Sequence, residues 1–237
     1  MNISVLIIAH NEEKHIAQCI ESVLHQTKKA DEVVLIVHNC TDHTEDIARN
    51  YHITVISYTG PKGIIYARLE GIKHVTGDII LCTDGDSYVA RNWIEVMSSL
   101  LTEGNILVAS WMKMKGTFFG WVSNFFNRYY CGKKNLKHSE RWIWGPSMGF
   151  WNKDKKFVAY IFQKSISLQQ EAGLTRNPDD YWLALFMKQY GTLAITNKTH
   201  VTQHTKETST IEVLRRNREN MSNAKKMDDY LVTNPFS

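Results

Sequence analysis

Residues 77–87 read GDIILCTDGDS, and this stretch decides the fold class. Its apolar part, 78–83, is a short continuous run, which is typical of a strand buried on both faces of a parallel sheet. Two carboxylates, Asp84 and Asp86, follow it with one glycine between them. Carboxylate oxygens at a strand end can hold a hard divalent cation such as Mg²⁺ or Mn²⁺, and Gly85 lets backbone and ligand come close. A solvated turn is the alternative interpretation, because this spacing also arises by chance.

The chain before this stretch alternates between strand and helix patterns. Apolar runs predict three further strands, at 3–9, 33–37 and 53–58. Apolar residues at helical spacing predict the helices 16–24, 64–74 and 91–101. Repeated strand–helix–strand units indicate an α/β fold with a mainly parallel sheet, flanking helices and right-handed crossovers.

Polar segments follow three of the predicted strands, at 10–13, 38–42 and 84–86. Ligands of parallel sheets bind beyond the carboxyl ends of the strands, so these three segments form the candidate site. Within the second segment, Asp42 with Glu45 three residues later resembles a capping box and predicts a short helix.

The second half of the chain has a less regular pattern. A strand is predicted at 106–111, a helix at 179–190 and a charged helix at 210–231. The aromatic-rich segment 118–130 has two interpretations: a buried helix face, or an interfacial helix at a membrane surface. We see no repeat and no low-complexity linker. We therefore predict a single domain over 1–237, with two functional halves that divide near residue 105.

Composition limits the class of protein. Hydrophobic residues make up 43% of 237, and the formal charge is +4 without a dense basic stripe, which argues against a nucleic-acid partner. The four cysteines form no CxxC pair, so a disulfide framework or zinc site is not expected. No signal peptide or spanning segment is recognisable. We expect a cytoplasmic protein, in solution or peripheral at the inner face of the membrane.

Five segments, in this order and spacing, resemble family 2 glycosyltransferases of the GT-A fold. They are SVLIIAHNEE at 4–13, NCTDHT at 39–44, ARLEG at 67–71, GDIILCTDGDS at 77–87 and DDYWLAL at 179–185. The resemblance implies a GT-A (Rossmann-like) sheet with a nucleotide-sugar-binding half to about residue 105 and a smaller acceptor-side half from about 106. In the second half, an interfacial helix at 118–130 would find a lipid-linked acceptor. The resemblance also implies metal-assisted, inverting transfer of a sugar from a nucleoside-diphosphate sugar to the hydroxyl of a carbohydrate or lipid-linked acceptor.

The resemblance also assigns the donor-binding residues. The segment Ala9, His10, Asn11 and Glu12 corresponds to the part that cups the nucleoside. The family usually has an acidic residue after the second strand, but this chain has His38, followed by Asn39.

A neutral imidazole can accept a hydrogen bond from uracil N3–H but can also donate one, so the base stays open with uracil favoured. Arg68, with Lys62 nearby in sequence, adds positive charge for the phosphates, although a solvated face explains Lys62 equally well.

The resemblance assigns the metal ligands and the general base as well. Asp86 corresponds to the direct metal ligand, Asp84 to a contact with ribose or metal, and Gly85 lies between them. His204 falls where some relatives place a third metal ligand, and His200 is its rival. Asp180, at a helix N-terminus, corresponds to the carboxylate that takes the acceptor's proton.

Other classes of protein fit less well. A nucleotidyltransferase usually has a glycine-rich basic loop where this chain has His10-Asn11-Glu12-Glu13. The glycine patterns of dehydrogenases and P-loop proteins are missing at the same place. A non-catalytic sugar-nucleotide or carbohydrate binding protein of the same fold stays open. Three tryptophans suit sugar stacking or core packing equally: Trp142, Trp144 and Trp151.

Overall fold

The computed structural model describes residues 1–115, 124, 143, 145–152, 155–174 and 179–204, with 218–219, 222–223, 225–226 and 229–230. Strands and helices alternate through most of this part of the chain. The strands are β1 (Ile3–Ala9), β2 (Glu32–His38), β3 (Thr54–Tyr58), β4 (Ile79–Asp84), β5 (Ser87–Val89), β6 (Asn105–Lys115), β7 (Met148–Trp151) and β8 (Thr192–His204). The helices are α1 (Ile16–Leu24), α2 (Thr44–Ala48), α3 (Ile64–His74), α4 (Trp93–Thr102), α5 (Lys155–Glu171) and α6 (Asp179–Met187). A 3₁₀ turn, Gly145–Ser147, precedes β7.

The described strands form one twisted sheet in the order β3-β2-β1-β4-β7-β6-β8-β5. The first four strands of the chain are parallel, and β1 pairs with both β2 and β4. Beyond β4 the sheet is mixed, because β7 runs antiparallel to β4 and to β6, whereas β6 and β8 are parallel. The predicted α/β sheet with flanking helices is confirmed, and it continues across the predicted division near residue 105.

The core consists of two apolar layers, one on each face of the sheet. Side chains alternate along β1, so Leu6 and Ile8 pack into the layer with α3, α5 and α6, while Val5 and Ile7 pack into the layer with α1 and α4. Every residue of β1 is buried. This double burial explains why the central strands are continuous apolar runs in the sequence.

Most predicted bounds agree with the structure to within two residues. Strand 3–9 and helix 64–74 are found as predicted, whereas β6 extends four residues beyond the predicted end at 111 and α6 ends three residues before 190. β4 begins and ends one residue later than predicted, so Asp84 is its last residue.

The predicted capping box is wrong. The N-cap of α2 is His43, without a side-chain cap, and Asp42 Oδ1 accepts hydrogen bonds from Thr44 N and Thr44 Oγ1 at 3.0 and 2.6 Å. The Glu45 carboxylate, which should have turned back to the N-cap, instead accepts a hydrogen bond from Ser57 Oγ at 2.6 Å.

Several predictions fall on other parts of the chain. The aromatic segment 118–130 lies outside the described residues except for Asn124, and Trp142, Trp144 and most of 210–231 lie outside them as well. Trp151 packs in the core, and its Nε1 donates to Asn105 O at 3.1 Å, which favours the core interpretation for this tryptophan.

Cys19, Cys40 and Cys82 are free thiols. No helix in the described part of the chain has the length and apolar character needed to cross a membrane.

Gly77 provides a test of this packing. Its N–H donates to the buried Ser4 Oγ at 2.8 Å, and a Cβ at this position would lie 2.7 Å from Ser4 N and 3.0 Å from Asn2 O. Because these atoms belong to the backbone at the start of β1, we expect Gly77→Ala to lower the free energy of unfolding by about 1–3 kcal/mol. Urea denaturation measures this change.

The neighbouring exposed residue supplies the control. Thr76→Ala should change the free energy of unfolding by no more than about 0.5 kcal/mol. Equal stabilities of the two variants would contradict the close approach of residue 77 to β1.

Candidate active site

A cavity of about 770 Å³ opens at the carboxyl ends of the parallel strands. The loops after β1, β2, β3 and β4 contribute its walls. The lining residues are Ile8, His10, Asn11, Glu12, His38, Asn39, Thr41, Gly60, Lys62, Gly63, Ile64, Asp84, Gly85 and Asp86. Its volume lies within the usual range for small-molecule sites, and its position is the one that the strand order predicts.

Hydrogen bonds join the loops after β1 and β2 into one wall. Asn11 Oδ1 accepts the Thr41 N–H at 2.8 Å, and Thr44 Oγ1 accepts the Glu12 N–H at 2.7 Å. Asp42 Oδ2 accepts the Glu13 N–H at 3.1 Å. These bonds explain why Asp42 does not act as the predicted cap: its oxygens hold two loops together.

Asn11 and Asn39 have positive φ angles, 55° and 49°, as no other non-glycine residue does in the described part of the chain. Asparagine tolerates this left-handed region better than most residues, yet the conformation still has a cost. Asn39 offsets it with two bonds to Gly60: its Oδ1 accepts Gly60 N–H at 3.1 Å and its Nδ2 donates to Gly60 O at 2.9 Å. The end of β2 is thereby fixed to the loop after β3.

His38 lies in the cavity wall with only 4% of its surface exposed. Its ring stacks on Tyr58 with centroids 5.3 Å apart, and its Nε2 lies 3.0 Å from Asn39 Nδ2. Burial lowers the pKa of His38 below its ordinary value, His10 adds to this effect, and backbone hydrogen bonds with Pro61 and Gly60 oppose it. The imidazole is therefore neutral near pH 7 and is tied to its own loop. A hydrogen bond from this ring to a nucleobase has to compete with the Asn39 contact.

The acidic motif lies against the end of β1. The Gly85 N–H donates to Ile8 O at 2.8 Å, and a Cβ on residue 85 would lie 2.8 Å from the Ala9 Cβ. Only glycine fits this approach without movement of the neighbouring backbone. Ala9 itself is 1% exposed and supports the wall from behind.

Three carboxylates converge on this end of the sheet. Burial and then Asp86, Asp84 and Glu12 raise the pKa of the Cys19 thiol well above its ordinary value, so all three carboxylates act on one buried point. Asp86 is 9% exposed and accepts hydrogen bonds from Ser87 Oγ at 3.1 Å and from Gln203 Nε2 at 3.2 Å.

Arg68 is a buried cation directly behind the acidic motif. It is 1% exposed, and its Nη2 lies 3.0 Å from Asp84 Oδ1. A buried charge is stable only when it is paired, so the guanidinium and this carboxylate hold each other in place. Arg68, which we predicted to contact phosphates, thus contacts the acidic motif and is not among the residues that line the cavity.

Asp180 joins the same region through the 3₁₀ turn. The Gly145 N–H donates to Asp180 Oδ2 at 3.2 Å, and residue 145 lies so close to Arg68 that an added Cβ would be 2.7 Å from Nη2. The order of contact is therefore Asp180, Gly145, Arg68, Asp84. The predicted base does not line the cavity, but only two residues, Gly145 and Arg68, separate it from the acidic motif.

Of the two histidines considered as metal ligands, His204 is the one beside Asp86. The backbone N–H of His204 donates to the backbone oxygen of Asp86 at 2.9 Å. The imidazole ring of His204, however, stacks on His15 with centroids 4.2 Å apart. The ring Nε2 lies 3.2 Å from Gln18 Oε1. Burial, His15 and Lys115 lower the pKa of His204, and Asp86 opposes them.

His200 is further along β8. It faces Trp111 at 5.3 Å, and burial followed by Lys113 lowers its pKa. Across the described residues, no three His, Cys, Asp or Glu side chains are close enough together to hold a metal ion.

Sequence reasoning missed part of the wall. Ile8, Gly60, Gly63 and Ile64 line the cavity without having been predicted as site residues, and Thr41 lines it from within the predicted segment 38–42. The turn GPKG at 60–63 was a usable signal, because it follows a parallel strand just as the three predicted segments do.

Comparison with known proteins identifies the family. The model of the family described as glycosyl transferase family 2 matches residues 4–156. The chain belongs to glycosyl transferase family 2. Glycosyltransferase GlyG of Streptococcus pneumoniae is 27% identical over 106 residues, which is 43% of this chain and 35% of the length of GlyG. The chain thus spans about a third of that family member.

Solved structures of glycosyltransferases share the fold. The mannosyltransferase PcManGT of Pyrobaculum calidifontis, in complex with GDP-Man and Mn²⁺, has a TM-score of 0.68 at 14% identity, covering 100% of this chain and 65% of its own. S. aureus TarS 1-349 with UDP-GlcNAc has a TM-score of 0.61 at 13% identity, covering 90% of this chain and 61% of its own. At these identities the likeness shows the GT-A fold alone, and it confirms the predicted fold class.

Asn39 offers a test of the loop geometry. Asn39→Ala removes both bonds to Gly60 and puts alanine in the left-handed region, so we expect the free energy of unfolding to fall by about 1–3 kcal/mol. Asn39→Asp keeps the acceptor and the tolerance of positive φ, and its loss should be smaller. Asn50→Ala, an exposed asparagine of ordinary φ, is the control for urea denaturation. Equal losses at positions 39 and 50 would refute the role of Asn39.

The lowered pKa of His38 predicts a pH dependence of stability. The unfolded chain binds a proton near the ordinary value of 6.5, whereas the folded chain does so only at lower pH. The free energy of unfolding should therefore fall as pH falls from 7.5 to 5.5, and His38→Gln should reduce that slope by at most about 1.4 kcal/mol per pH unit. Urea titrations at each pH measure both slopes. An unchanged slope in His38→Gln would contradict the prediction.

Proposed function

We propose that this protein is an inverting glycosyltransferase that moves a sugar from a nucleoside-diphosphate sugar to an acceptor hydroxyl with the help of a divalent metal. The observation that carries the proposal is the contact order Asp180, Gly145, Arg68, Asp84. It joins a carboxylate at the start of α6 to an acidic motif that lines a cavity at the carboxyl ends of parallel strands.

The cavity suits a nucleotide sugar in size and in arrangement. In this proposal the nucleoside lies against the wall formed by 10–12 and 38–41, and the diphosphate lies toward Asp84 and Asp86. Lys62, which also lines the cavity, adds positive charge for the diphosphate. A UDP-sugar is the favoured donor, although PcManGT and TarS were solved with different bases. The neutral His38 and the Asn39 amide supply hydrogen-bonding groups but no charge at the base end.

A divalent cation fits the acidic motif through Asp86. Glu12, Asp84 and Asp86 together repel a diphosphate unless a cation lies between them. Mg²⁺ or Mn²⁺ at phosphate sites is usually held by one or two carboxylates plus phosphate oxygens, so the lack of a three-residue cluster does not conflict with this fit. Such a cation supplies positive charge for the leaving diphosphate. Asp84 is paired with the Arg68 cation and His204 Nε2 faces Gln18, whereas the side-chain partners of Asp86 are the neutral Ser87 and Gln203, so Asp86 is the best-fitted ligand.

Asp180 acts as the general base in this proposal. Its carboxylate takes the proton of the acceptor hydroxyl, and the freed oxygen attacks the anomeric carbon of the donor sugar. As that bond forms, the bond from the anomeric carbon to the diphosphate oxygen breaks, and the nucleoside diphosphate leaves with both electrons. One displacement without a covalent enzyme intermediate inverts the anomeric centre.

The alternatives make different predictions for a simple assay. A non-catalytic binding protein of this fold would bind nucleotide sugars but release no nucleoside diphosphate. A nucleotidyltransferase would need a basic loop where Glu12 and Glu13 stand. We would incubate the protein with UDP-, GDP-, dTDP- and CDP-sugars and Mn²⁺ and measure release of nucleoside diphosphate. A thermal-shift screen with the same compounds identifies the donor, since a ligand raises the melting temperature by mass action.

The acceptor is a carbohydrate or a lipid-linked carbohydrate, and the protein works in the cytoplasm or at the inner face of the membrane. Assays with soluble and lipid-linked acceptors distinguish the two acceptor classes.

Two substitutions separate the roles of the carboxylates. Asp180→Asn should lower the rate of transfer about 10²–10⁴-fold, because it removes the base. It should leave the donor dissociation constant within about twofold of the wild-type value, because it removes no donor contact. Asp86→Ala should instead weaken Mn²⁺-dependent donor binding at least about tenfold, because it removes the cation's ligand. Isothermal titration and initial-rate assays measure both effects.

The exposed Asp46→Asn on α2 is the control and should change neither quantity. Normal transfer by Asp180→Asn would rule out Asp180 as the base. Normal metal-dependent binding by Asp86→Ala would rule out Asp86 as the ligand.

A further inference from the structure

A buried cluster of hydroxyls lies behind the 3₁₀ turn Gly145–Ser147. Ser147, Ser110 and Trp93 each have 0% of their surface exposed. Trp93 Nε1 donates to Ser147 Oγ at 2.9 Å, and Ser147 Oγ and Ser110 Oγ share a hydrogen bond at 2.5 Å. The cluster joins the start of α4 and strand β6 to the turn through side chains rather than through a strand ladder.

These bonds fix the turn because their partners are rigid. Trp93 is the first residue of α4. Ser110 lies within β6 and directly follows Ala109, which pairs with Met148 of β7. A buried indole N–H has no water as a substitute partner, so the Ser147 hydroxyl cannot leave it without a cost. The position of Ser147 is therefore set by the scaffold on one face of the sheet.

The other end of the same turn contacts two residues of the proposed chemistry. The Gly145 N–H donates to Asp180 Oδ2 at 3.2 Å, and Gly145 lies so close to the Arg68 guanidinium, which pairs with Asp84, that an added Cβ would be 2.7 Å from Nη2. Only Pro146 separates Gly145 from Ser147, and its ring fixes φ at that step. A shift of Ser147 thus moves Gly145 almost directly.

We infer that Ser147 is a positioning residue, whose buried hydroxyl holds the turn so that Gly145 keeps Asp180 at the correct distance from the donor. The inference rests on the proposed role of Asp180 as base. Ser147 contacts neither Asp180 nor the cavity in the described structure, so its effect passes through Gly145. A displacement of about 1 Å at a reacting group can reduce a rate about a hundredfold.

Ser147→Ala tests the inference. We expect kcat per folded molecule to fall about tenfold to a hundredfold, with the dissociation constant for UDP and Mn²⁺ within threefold of the wild-type value. Ser165→Ala is the matched control: Ser165 is also buried, on α5, and its hydroxyl makes no hydrogen bond within the described residues. The control should retain full kcat. If Ser147→Ala does not fold, Ser110→Ala removes one anchor of the same hydroxyl and should give a smaller loss of the same kind.

A double-mutant cycle separates positioning from loss of structure. In an Asp180→Asn background, Ser147→Ala should cause no further loss of the residual rate, because the group being positioned is already absent. Equal losses in both backgrounds would overturn the inference.

Amide exchange tests the tether without any activity. The Gly145 N–H should exchange at least about tenfold faster in Ser147→Ala than in Ser165→Ala. Unchanged Gly145 exchange would overturn the inference whatever the activity. Absence of nucleoside diphosphate release by the wild-type protein would instead overturn the proposed function, so the two failures are distinguishable.

Discussion

The parallel pairing of β1 with β2 on one side and β4 on the other is the constraint on which the site depends. In this register Ala9 lies beside Val37, and Ile8 lies beside Asp84. The chain must leave all three strands at the same edge, so the loops after them meet there regardless of their separation in sequence. β1 is buried on both faces, and this burial fixes the register because a slip by one residue would exchange its two apolar faces.

A buried cation offsets part of the negative charge at this edge of the sheet. The acidic motif would be self-repelling in the absence of Arg68, whose guanidinium lies behind Asp84 and away from the cavity. This arrangement gives Asp84 a cationic partner, whereas Asp86 accepts hydrogen bonds from the neutral side chains of Ser87 and Gln203. Two aspartates that look equivalent in sequence therefore have different environments. The difference comes from α3, which carries Arg68 at a distance of sixteen residues from Asp84.

Much of this could be predicted from the sequence because the signals are local. A continuous apolar run followed by polar residues marks a central parallel strand and its carboxyl end, and this rule located His10, His38 and Asp84 at the cavity. The rule was not applied to β3, so Gly60 was missed. What could not be predicted are contacts between segments. The capping box failed since Asp42 has a tertiary partner in Glu13, and no local pattern reveals that Gly145 lies on Arg68.

The division between predictable and unpredictable residues has a physical origin that bears on function. Residues that line the cavity are placed mainly by strand ends, which the sequence pattern encodes directly. Asp180, the proposed general base, instead meets the acidic motif through the 3₁₀ turn: its carboxylate accepts the Gly145 N–H, and Ser147 at the other end of the turn accepts the Trp93 Nε1–H. Under the proposed function, variation in those few contacts would change the acceptor side, while the strand ends that form the cavity keep their places.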